Sequence, residues 1–390
     1  MQKYKIPGGM CDYLPDECYM KNLVEDKILA VFKSDGYERI ETPSVEYHGV
    51  FAYNGVFPIE NAFKTTDTDG NLLILRPDIT MPLSRIVSTK MNPVFPLKLC
   101  YLGNSFSLLA DEYRYREFTQ AGLELIGEKS YLADAEVIIL AIEALKAAGL
   151  DDFLIELGNT EFLRGLIYEC GLDERGEAEL IKSVGKKNNF AITEILGRAG
   201  VSAELSAVIT ELPTLFGEDA AEKARRLTAG NKRSGDALDE LERIYGLLAA
   251  LGYEKYISID LGLLNSMNFY TGTVFKGISL HFGAAILSGG RYDDLFTDKG
   301  GAAIPATGFA VGIKNLLTAL AGNGKILSKP PCDCVIGGRR EHAVEAFKKK
   351  TELKARGFTV SYTFIDDEIK LKKYADAVGA KRSVFIDKRR

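Results

Sequence analysis

Residues 98–127 read KLCYLGNSFSLLADEYRYREFTQAGLELIG, a pattern that predicts a strand, a polar loop and a second, longer strand. Successive side chains of a strand point to opposite faces, so every second residue of the longer strand shares a face. That face carries Arg114, Arg116, Phe118, Gln120, Gly122 and Glu124. Arginine suits phosphate, an aromatic ring suits a base, and an amide beside a carboxylate suits an ammonium or imidazole group. The stretch therefore predicts the floor of a ligand site, and a half-exposed edge strand is the alternative.

Two shorter segments place polar or aromatic side chains at the ends of predicted strands. Leu75–Thr80 (LRPDIT) ends a strand in a proline turn and then offers Asp78 and Thr80, which could equally cap the helix that follows. Asn265–Phe275 (NSMNFYTGTVF) places Tyr270 at the entry of a strand, where packing in the core is the alternative. Both segments are candidates for the walls of the same site.

A glycine-rich segment follows near residues 288–320. Two glycines close a strand, GGAAIPATG (300–308) is expected to be a flexible loop, and a helix is expected to follow with Phe309 and Ile313 on its buried face. Such a loop before a helix is weak evidence for a nucleotide site, because close packing explains it as well. The sequence holds no Walker A loop, no G-x-G-x-x-G after a strand and no G-x-S-x-G elbow. The sequence therefore lacks the motifs that nucleophilic and metal-hydrolase mechanisms require.

Composition and charge narrow the class of protein. Of 390 residues, 46% are hydrophobic and 26% are charged, which is typical of globular proteins. The formal net charge of −5 argues against a chain built mainly to grip nucleic acid or an anionic membrane. No apolar run approaches the roughly 18 residues of a membrane span, and the first residues resemble neither a signal nor a transit peptide. Six scattered cysteines favour a cytoplasmic protein, and we expect Cys332 and Cys334 to lie in a strand, not at a metal.

The charge and texture change along the chain. Residues 330–390 carry a net +6, which leaves −11 for the rest, and the preceding AGNGKILSKPP is typical of a linker. The middle of the chain is dense in Ala, Leu, Glu and Lys at helical spacing, between two strand-rich stretches. We therefore predict an α+β domain over residues 1–325 with a helical insertion at about 160–252. A small, truncated α/β module is predicted over residues 331–390.

Several segments, taken in this order, resemble the class II aminoacyl-tRNA synthetases, and histidyl-tRNA synthetase in particular. PGGMCDYLP (7–15) is similar to that enzyme's amino-terminal signature, and GYERIETPSVE (36–46) is similar to motif 1, which forms the dimer. The hairpin of residues 98–127 resembles motif 2, and SGGRYDDL (288–295) with PATGFAVGI (305–313) resembles motif 3. NSMNFYTGTVF falls at the histidine-specific signature. The resemblance implies a class II synthetase-like antiparallel sheet flanked by helices.

The resemblance also implies roles for two groups of side chains. The first group matches the residues that hold histidine, with an aspartate where the synthetase has glutamate. Its members are Asp78, Thr80, Gln120, Glu124 and Tyr270. The second group matches the residues that serve the phosphates and adenine of ATP. Its members are Arg114, Arg116 and Phe118.

Three arginines of the synthetase motifs are missing. The motif 2 arginine that grips the α-phosphate falls at Ser107, the motif 3 arginine that covers the adenine at Asn315, and the signature arginine that replaces a catalytic metal at Asn265. Losing one preorganised donor typically costs about 10²–10³ in rate. We therefore expect a synthetase fold without synthetase chemistry, and no metal or cofactor. A divergent but active synthetase, with Lys314 or Arg291 in the vacated roles, is the alternative, although lysine poorly replaces a bidentate guanidinium.

A synthetase look-alike with broken motifs and a shortened anticodon-binding module resembles the family of regulatory subunits of ATP phosphoribosyltransferase, and RPDIT in place of R-P-E-G-T agrees with it. The resemblance implies a non-catalytic role in the first step of histidine biosynthesis, with a short-form catalytic subunit in a hetero-octamer. It implies self-association through motif 1 and feedback inhibition by histidine, which binds either the retained pocket or the subunit contact. Neither tRNA nor a membrane is an expected partner. An amino-acid-sensing module for another enzyme is the third hypothesis.

Overall fold

A computed structural model of the chain describes residues 5–52, 59–109, 115–217, 219–228, 230–263, 269–325 and 328–387. The chain divides into two compact units, Met1–Ile326 and Leu327–Arg390, each with its own core. Among the described residues, no helix combines the length and apolar character that a membrane crossing requires.

The first unit contains the strands and helices that surround the site. Its strands are β1 (Glu38–Arg39), β2 (Val45–Tyr47), β3 (Lys64–Thr66), β4 (Leu72–Leu75), β5 (Leu97–Phe106), β6 (Glu117–Ile126), β7 (Leu154–Asn159), β8 (Ile257–Ile259), β9 (Thr273–Ser279), β10 (Phe282–Arg291), β11 (Phe296–Thr297), β12 (Ala303–Ile304) and β13 (Ala306–Gly312). Its helices are α1 (Pro15–Ser34), α2 (His48–Ala52), α3 (Thr80–Thr89), α4 (Tyr131–Ala148), α5 (Thr160–Glu169), α6 (Glu174–Gly185), α7 (Asn189–Ala199), α8 (Ala203–Glu211), α9 (Ala220–Leu227), α10 (Lys232–Ala250) and α11 (Ile313–Gly322).

The centre of this unit is an eight-stranded sheet in the order β1-β5-β6-β13-β10-β9-β7-β8. The pairings are antiparallel except for β1 with β5 and β7 with β8, which are parallel. The predicted hairpin is formed by β5 and β6 in continuous register, with Leu99 opposite Glu124 and Gly103 opposite Gln120. An eight-stranded sheet with helices packed on it confirms the predicted α+β class.

Helices α1, α4 and α11 cover one face of the sheet. Helix α4 is rich in alanine and leucine and is buried over most of its length, because it packs between α1, α10 and β13. It ends at Gly149, whose left-handed φ of 99° suits glycine best. From α1, Phe32 reaches the sheet and meets the ring of Phe309 at 5.7 Å. This contact fixes the back of the strand on which the site is built.

The expected loop and helix near residue 300 were wrong. Residues 303–304 and 306–312 are strands, and the helix begins only at Ile313. The apolar residues Phe309, Ile313 and Leu316 have helical spacing, but Phe309 is a strand residue whose side chain packs on the helices, as Ile313 and Leu316 do from α11. The strand and the helix that follows it pack against the same core. Their apolar residues therefore have the sequence spacing of a single buried helix face.

Helices α5 to α10 lie between β7 and β8 in the sequence, and these two strands are neighbours in the sheet. Most of these helices begin at a side chain that caps them by accepting a hydrogen bond from a first-turn backbone N–H group. The capping residues are Asn159, Asp173, Asn188, Ser202 and Asn231. Apolar residues of the helical block, such as Leu180 and Leu238, belong to the same core as the sheet.

A small sheet in the order β2-β4-β3 lies apart from the main one. Val45 is opposite Leu75 and Tyr47 is opposite Leu73, so these four apolar side chains share one face. Val45 and Tyr47 are 41% and 58% exposed, whereas Ile74 on the other face is fully buried. The small sheet therefore presents an apolar outer face among the described residues.

The second unit is a three-stranded parallel sheet in the order β15-β14-β16 with a helix on each face. Its elements are β14 (Cys334–Gly338), α12 (Ala343–Ala355), β15 (Val360–Tyr362), α13 (Glu368–Ala377) and β16 (Ser383–Ile386). Cys334 is a buried residue of β14, whereas Cys332 lies just before the strand, so the prediction that both lie in it was wrong for Cys332.

Candidate functional site

A cavity of about 30 Å³ lies above β6, β13 and β10, beside the turn that leads into α3. The structure brings all five residues of the predicted amino-acid pocket to its wall. They are Asp78, Thr80, Gln120, Glu124 and Tyr270. Gln120 and Glu124 come from one face of β6, which the alternation of the strand predicts.

Asp78 and Thr80 reach the cavity from the turn before α3. The Asp78 carboxylate accepts a hydrogen bond from the backbone N–H of Met81 at 2.9 Å, so it also caps the helix. Asp78 therefore both bonds to the first turn of the helix and lines the cavity. The turn holds a carboxyl group and a hydroxyl group against the floor of the cavity.

Glu124 is the most enclosed polar group of the site, with 1% of its surface exposed. Its Oε1 accepts a hydrogen bond from the Thr80 hydroxyl at 2.8 Å, and its Oε2 has no partner among the described residues. Burial and the nearby Asp78 raise the pKa of Glu124 well above its ordinary value, and burial also raises the pKa of Asp78. The cavity therefore favours a ligand that brings positive charge or hydrogen-bond donors.

Replacing Glu124 by glutamine is expected to change the pH dependence of folding. Because the folded-state pKa of Glu124 is raised, its contribution to stability is present below the unfolded-state pKa and is lost as the pH rises toward the folded-state value. The glutamine variant lacks this loss, so its free energy of unfolding should gain on the wild type by up to about 1.4 kcal/mol per pH unit above pH 5. Urea unfolding from pH 5 to 8 measures the difference, and Glu117→Gln, outside the cavity on the same strand, is the control. Parallel pH profiles for wild type and Glu124→Gln would contradict the burial of a protonated carboxyl.

Two glycines make room for the polar side chains. A Cβ atom at Gly308 would collide with Glu124 Oε2 and would lie 2.6 Å from the Tyr292 hydroxyl. A Cβ at Gly122 would lie 2.5 Å from the hydroxyl of Tyr101. The glycines of β13 and β6 therefore let side chains cross the sheet surface where any other residue would fill the cavity.

Gln120 is oriented by its cross-strand surroundings. Its Oε1 accepts a hydrogen bond from the Ser105 hydroxyl at 2.7 Å. Since the oxygen is engaged, the amide NH₂ group is the donor that can face a ligand. An amide held in this way can bind a carboxylate or a ring nitrogen.

Tyr101 and Tyr292 also line the cavity, and neither was predicted from the sequence. The Tyr292 hydroxyl is buried without a hydrogen-bond partner among the described residues, and its ring meets Phe269 at 5.5 Å and Tyr270 at 6.0 Å. Burial raises the pKa of Tyr101 well above its ordinary value. A large residue opposite a glycine, as Tyr101 is opposite Gly122, was the signal available in the hairpin.

At the nucleotide end of the predicted site, the side chains of Ser107 and Asn315 are hydrogen-bonded to nearby backbone groups. Ser107 Oγ accepts a hydrogen bond from the backbone N–H of Leu109 at 3.1 Å, and Asn315 Nδ2 donates to the carbonyl of Ala285 at 2.8 Å. The Arg116 side chain has a buried Nε without a partner among the described residues, and Phe118 is half-buried on β6. Arg114 and Asn265 lie outside the described residues.

Known proteins place this geometry in a family. The sequence profile of histidyl-tRNA synthetase matches residues 9–316. The ATP phosphoribosyltransferase regulatory subunit of Acetivibrio thermocellus is 39% identical over 368 residues, 92% of this chain and 87% of that protein. The chain belongs to the family of ATP phosphoribosyltransferase regulatory subunits. A crystal structure described as such a regulatory subunit/histidyl-tRNA synthetase, from Bacillus halodurans, is 30% identical, with a TM-score of 0.87 over 100% of this chain and 99% of that chain.

The fold of this regulatory-subunit family is that of a class II synthetase. Histidyl-tRNA synthetase from a Nostoc species is 24% identical and superposes with a TM-score of 0.83 over 99% of this chain and 92% of that chain. The sequence-based assignment to the family and its fold is thereby confirmed, and the comparisons do not favour an active synthetase.

Arg291, one of the two cations considered for the vacated roles, is held in a buried network. Its guanidinium is buried and donates two hydrogen bonds to Asp134, at 2.8 and 3.0 Å, and others to Asp293 and to the carbonyls of Glu128 and Ser130. A guanidinium engaged in this way cannot also serve a phosphate.

Lys314, the other cation offered for the vacated roles, lies against aromatic rings. Its Nζ lies 4.9 Å from the ring centroid of Tyr13 and 5.7 Å from that of Tyr115. Such contacts hold a cation in place through the electron-rich faces of the rings. The two candidate substitutes named from the sequence therefore have other partners in the structure.

Proposed function

We propose that this chain is a non-catalytic regulatory subunit that senses histidine and is required for the activity of a short-form ATP phosphoribosyltransferase. One observation carries the proposal: the five residues that match the histidine-binding positions of the synthetase line one cavity, while Ser107 and Asn315, at the positions matched to its phosphate- and adenine-binding arginines, are bonded to backbone. Adenylate formation needs cationic donors at that end. The cleft therefore keeps side chains that can bind an amino acid, and it lacks the cations that adenylate formation needs.

Histidine fits the chemistry of the cavity. Its ammonium group is a positively charged donor at neutral pH, and its imidazole is an N–H donor that gains a positive charge as the pH falls through about 6.5. The cavity offers the carboxyl groups of Asp78 and Glu124 with the amide of Gln120. A cation beside Glu124 favours its ionised form. Binding should therefore release protons from these carboxyl groups.

The volume of the cavity bears on how a ligand enters. About 30 Å³ admits about two water molecules, whereas pockets that hold small ligands typically measure about 300–1,000 Å³. A ligand the size of an amino acid must therefore displace part of the wall. The alternative, that histidine binds at the contact with the catalytic subunit, requires no such displacement.

Titration calorimetry with the whole chain separates the two sites. If histidine binds the cavity, Glu124→Ala should weaken binding at least tenfold, because a buried Oε2 and the partner of Thr80 are lost together. The heat for the wild type should depend on the ionisation enthalpy of the buffer, since protons are released. Glu117→Ala, on the same strand outside the cavity, is the matched control and should bind as the wild type does. Equal binding by Glu124→Ala and the wild type would remove the cavity from the account.

The apolar outer face of the small sheet supports self-association. Val45 lies within the motif 1-like segment and Tyr47 directly follows it, and together with Leu73 and Leu75 they form an apolar surface on β2 and β4. Exposed apolar faces of this kind are typical of subunit contacts. The proposal includes a dimer formed here, within a hetero-octamer that the family resemblance implies.

Feedback inhibition sets a thermodynamic condition on the proposed site. Histidine can inhibit through this chain only if it binds the inactive state of the complex more tightly than the active state. A difference of tenfold in affinity corresponds to about 1.4 kcal/mol of bias between the two states. The cavity must therefore be linked to a surface that the complex uses.

A further inference from the structure

Arg76 joins the turn of the cavity to the segment before the small sheet. Its side chain is 5% exposed. Its Nε donates to the carbonyl of Asn104 at 2.8 Å, and its Nη1 donates to the carbonyl and the hydroxyl of Thr42 and to the carbonyl of Pro43. One guanidinium thus bonds to β5 and to residues 42–43 at the same time.

The backbone of Arg76 makes the same two connections. Its N–H donates to the carbonyl of Ser44 at 2.9 Å, and its carbonyl accepts from the N–H of Phe106 at 3.0 Å. Gly103 provides the space, because a Cβ there would collide with the guanidinium. The residue is therefore fixed by side chain and backbone alike.

Only Pro77 separates Arg76 from Asp78 in the wall of the cavity. Because the proline ring fixes φ, a displacement of Asp78 is passed to Arg76 with little change in the backbone angles between them. On the other side, residues 42–44 continue directly into β2, which presents Val45 and Tyr47 on the exposed apolar face. A movement of the cavity turn therefore has a short, stiff route to that face.

A ligand in the cavity is expected to move this turn. The floor strands β6, β13 and β10 are held by continuous ladders, whereas the turn is linked to the floor by the side-chain hydrogen bond from Thr80 to Glu124. A group that enters the space between them must lengthen or replace that bond. The turn is the polar wall that can yield.

We infer that Arg76 is a positioning residue that carries a displacement of the cavity turn to β2, so that ligand binding and association through the exposed face of β2 and β4 are coupled. The inference deepens the proposed function and rests on it for the identity of the ligand. Lysine keeps the positive charge but cannot span two segments with a planar fork. Arg76→Lys should therefore uncouple the two sites while it leaves Asp78, Thr80 and Glu124 in place.

The first test is a double-mutant cycle read by amide hydrogen exchange of the whole chain, without any ligand. Thr80→Val removes the bond to Glu124. In the chain that keeps Arg76, this substitution should change the amide exchange rates of residues 44–47 at least threefold. In the chain that carries Arg76→Lys, the same substitution should leave these rates unchanged. Gly103→Ala, which presses on the guanidinium from the other side, should act as Arg76→Lys does and replaces it if that variant does not fold. Thr228→Val in the helical insertion is the control and should leave residues 44–47 unchanged. Additive effects of Thr80→Val and Arg76→Lys would overturn the inference.

The second test uses histidine. Sedimentation of the chain at a series of histidine concentrations should show self-association that changes at least fivefold with ligand for the wild type and less than twofold for Arg76→Lys. Calorimetric affinity for histidine should stay within about threefold, which a merely destabilised pocket would not do. Unchanged coupling in Arg76→Lys would overturn the inference. If the wild type binds no histidine, the proposed ligand fails, and the exchange cycle still decides the role of Arg76.

Discussion

Gly308→Ala is expected to abolish ligand binding at the cavity and to lower the free energy of unfolding by about 1–3 kcal/mol or more. The new methyl group would occupy the place of Glu124 Oε2 and would press on the Tyr292 hydroxyl and on the carbonyl of Leu123 in the neighbouring strand. A backbone carbonyl in a central ladder cannot move away without breaking β6 from β13. The new methyl group is therefore opposed both by the pairing of β6 with β13 and by the buried carboxyl group of Glu124.

Gly312→Ala is the matched control for this prediction. It lies on the same strand, and its Cβ would meet no described atom closer than 3.6 Å. Chemical unfolding and histidine calorimetry on both variants measure the two effects. If Gly308→Ala is as stable as Gly312→Ala and binds ligand equally well, then Glu124 is not held against β13 as the structure has it.

Asp134→Ala is expected to cost about 3–5 kcal/mol, since it leaves the buried guanidinium of Arg291 without its main counter-ion. Two hydrogen bonds of 2.8 and 3.0 Å join the pair, and both side chains are at most 5% exposed. The pair ties α4 to the end of β10, next to Tyr292 in the cavity wall. The loss should therefore appear in the unfolding midpoint and also in ligand affinity.

Two further variants separate a structural ion pair from a catalytic cation. Asp293→Ala removes a more exposed partner of the same guanidinium at 3.2 Å and should cost much less. The double variant Asp134→Leu with Arg291→Met, apolar on both sides, should recover much of the stability that Asp134→Ala loses. A nucleotide-dependent activity that disappears with Arg291→Met while stability is unchanged would contradict the structural role.

The side chains of the cavity floor follow from the sequence more directly than the walls. Alternation along β6 is a local property, so it places Gln120 and Glu124 on one face. Their meeting with Asp78 and Tyr270 is non-local, and only the resemblance to the synthetase motifs indicated it. Tyr292 follows a strand end that no local pattern connects to the hairpin, and it was missed for that reason.

The strand near residue 300 and the role of Arg76 were not predicted from the sequence, for related reasons. Phe309 and Ile313 satisfy helical spacing although one belongs to a strand, because strand and helix approach the same core from one connection. Arg76 gives no signal in LRPDIT, since its partners at Thr42 and Asn104 are about thirty residues away in each direction. Neither feature can be read without the tertiary structure.

The most direct test of the account is to add this chain to a short-form ATP phosphoribosyltransferase that is inactive alone, with ATP and phosphoribosyl pyrophosphate as substrates. Product formation should begin when the chain is added, and histidine should suppress it. The same preparation of the chain should support no histidine-dependent exchange of pyrophosphate into ATP, because Ser107 and Asn315 supply no cation. Robust exchange, with the transferase still inert, would contradict the account.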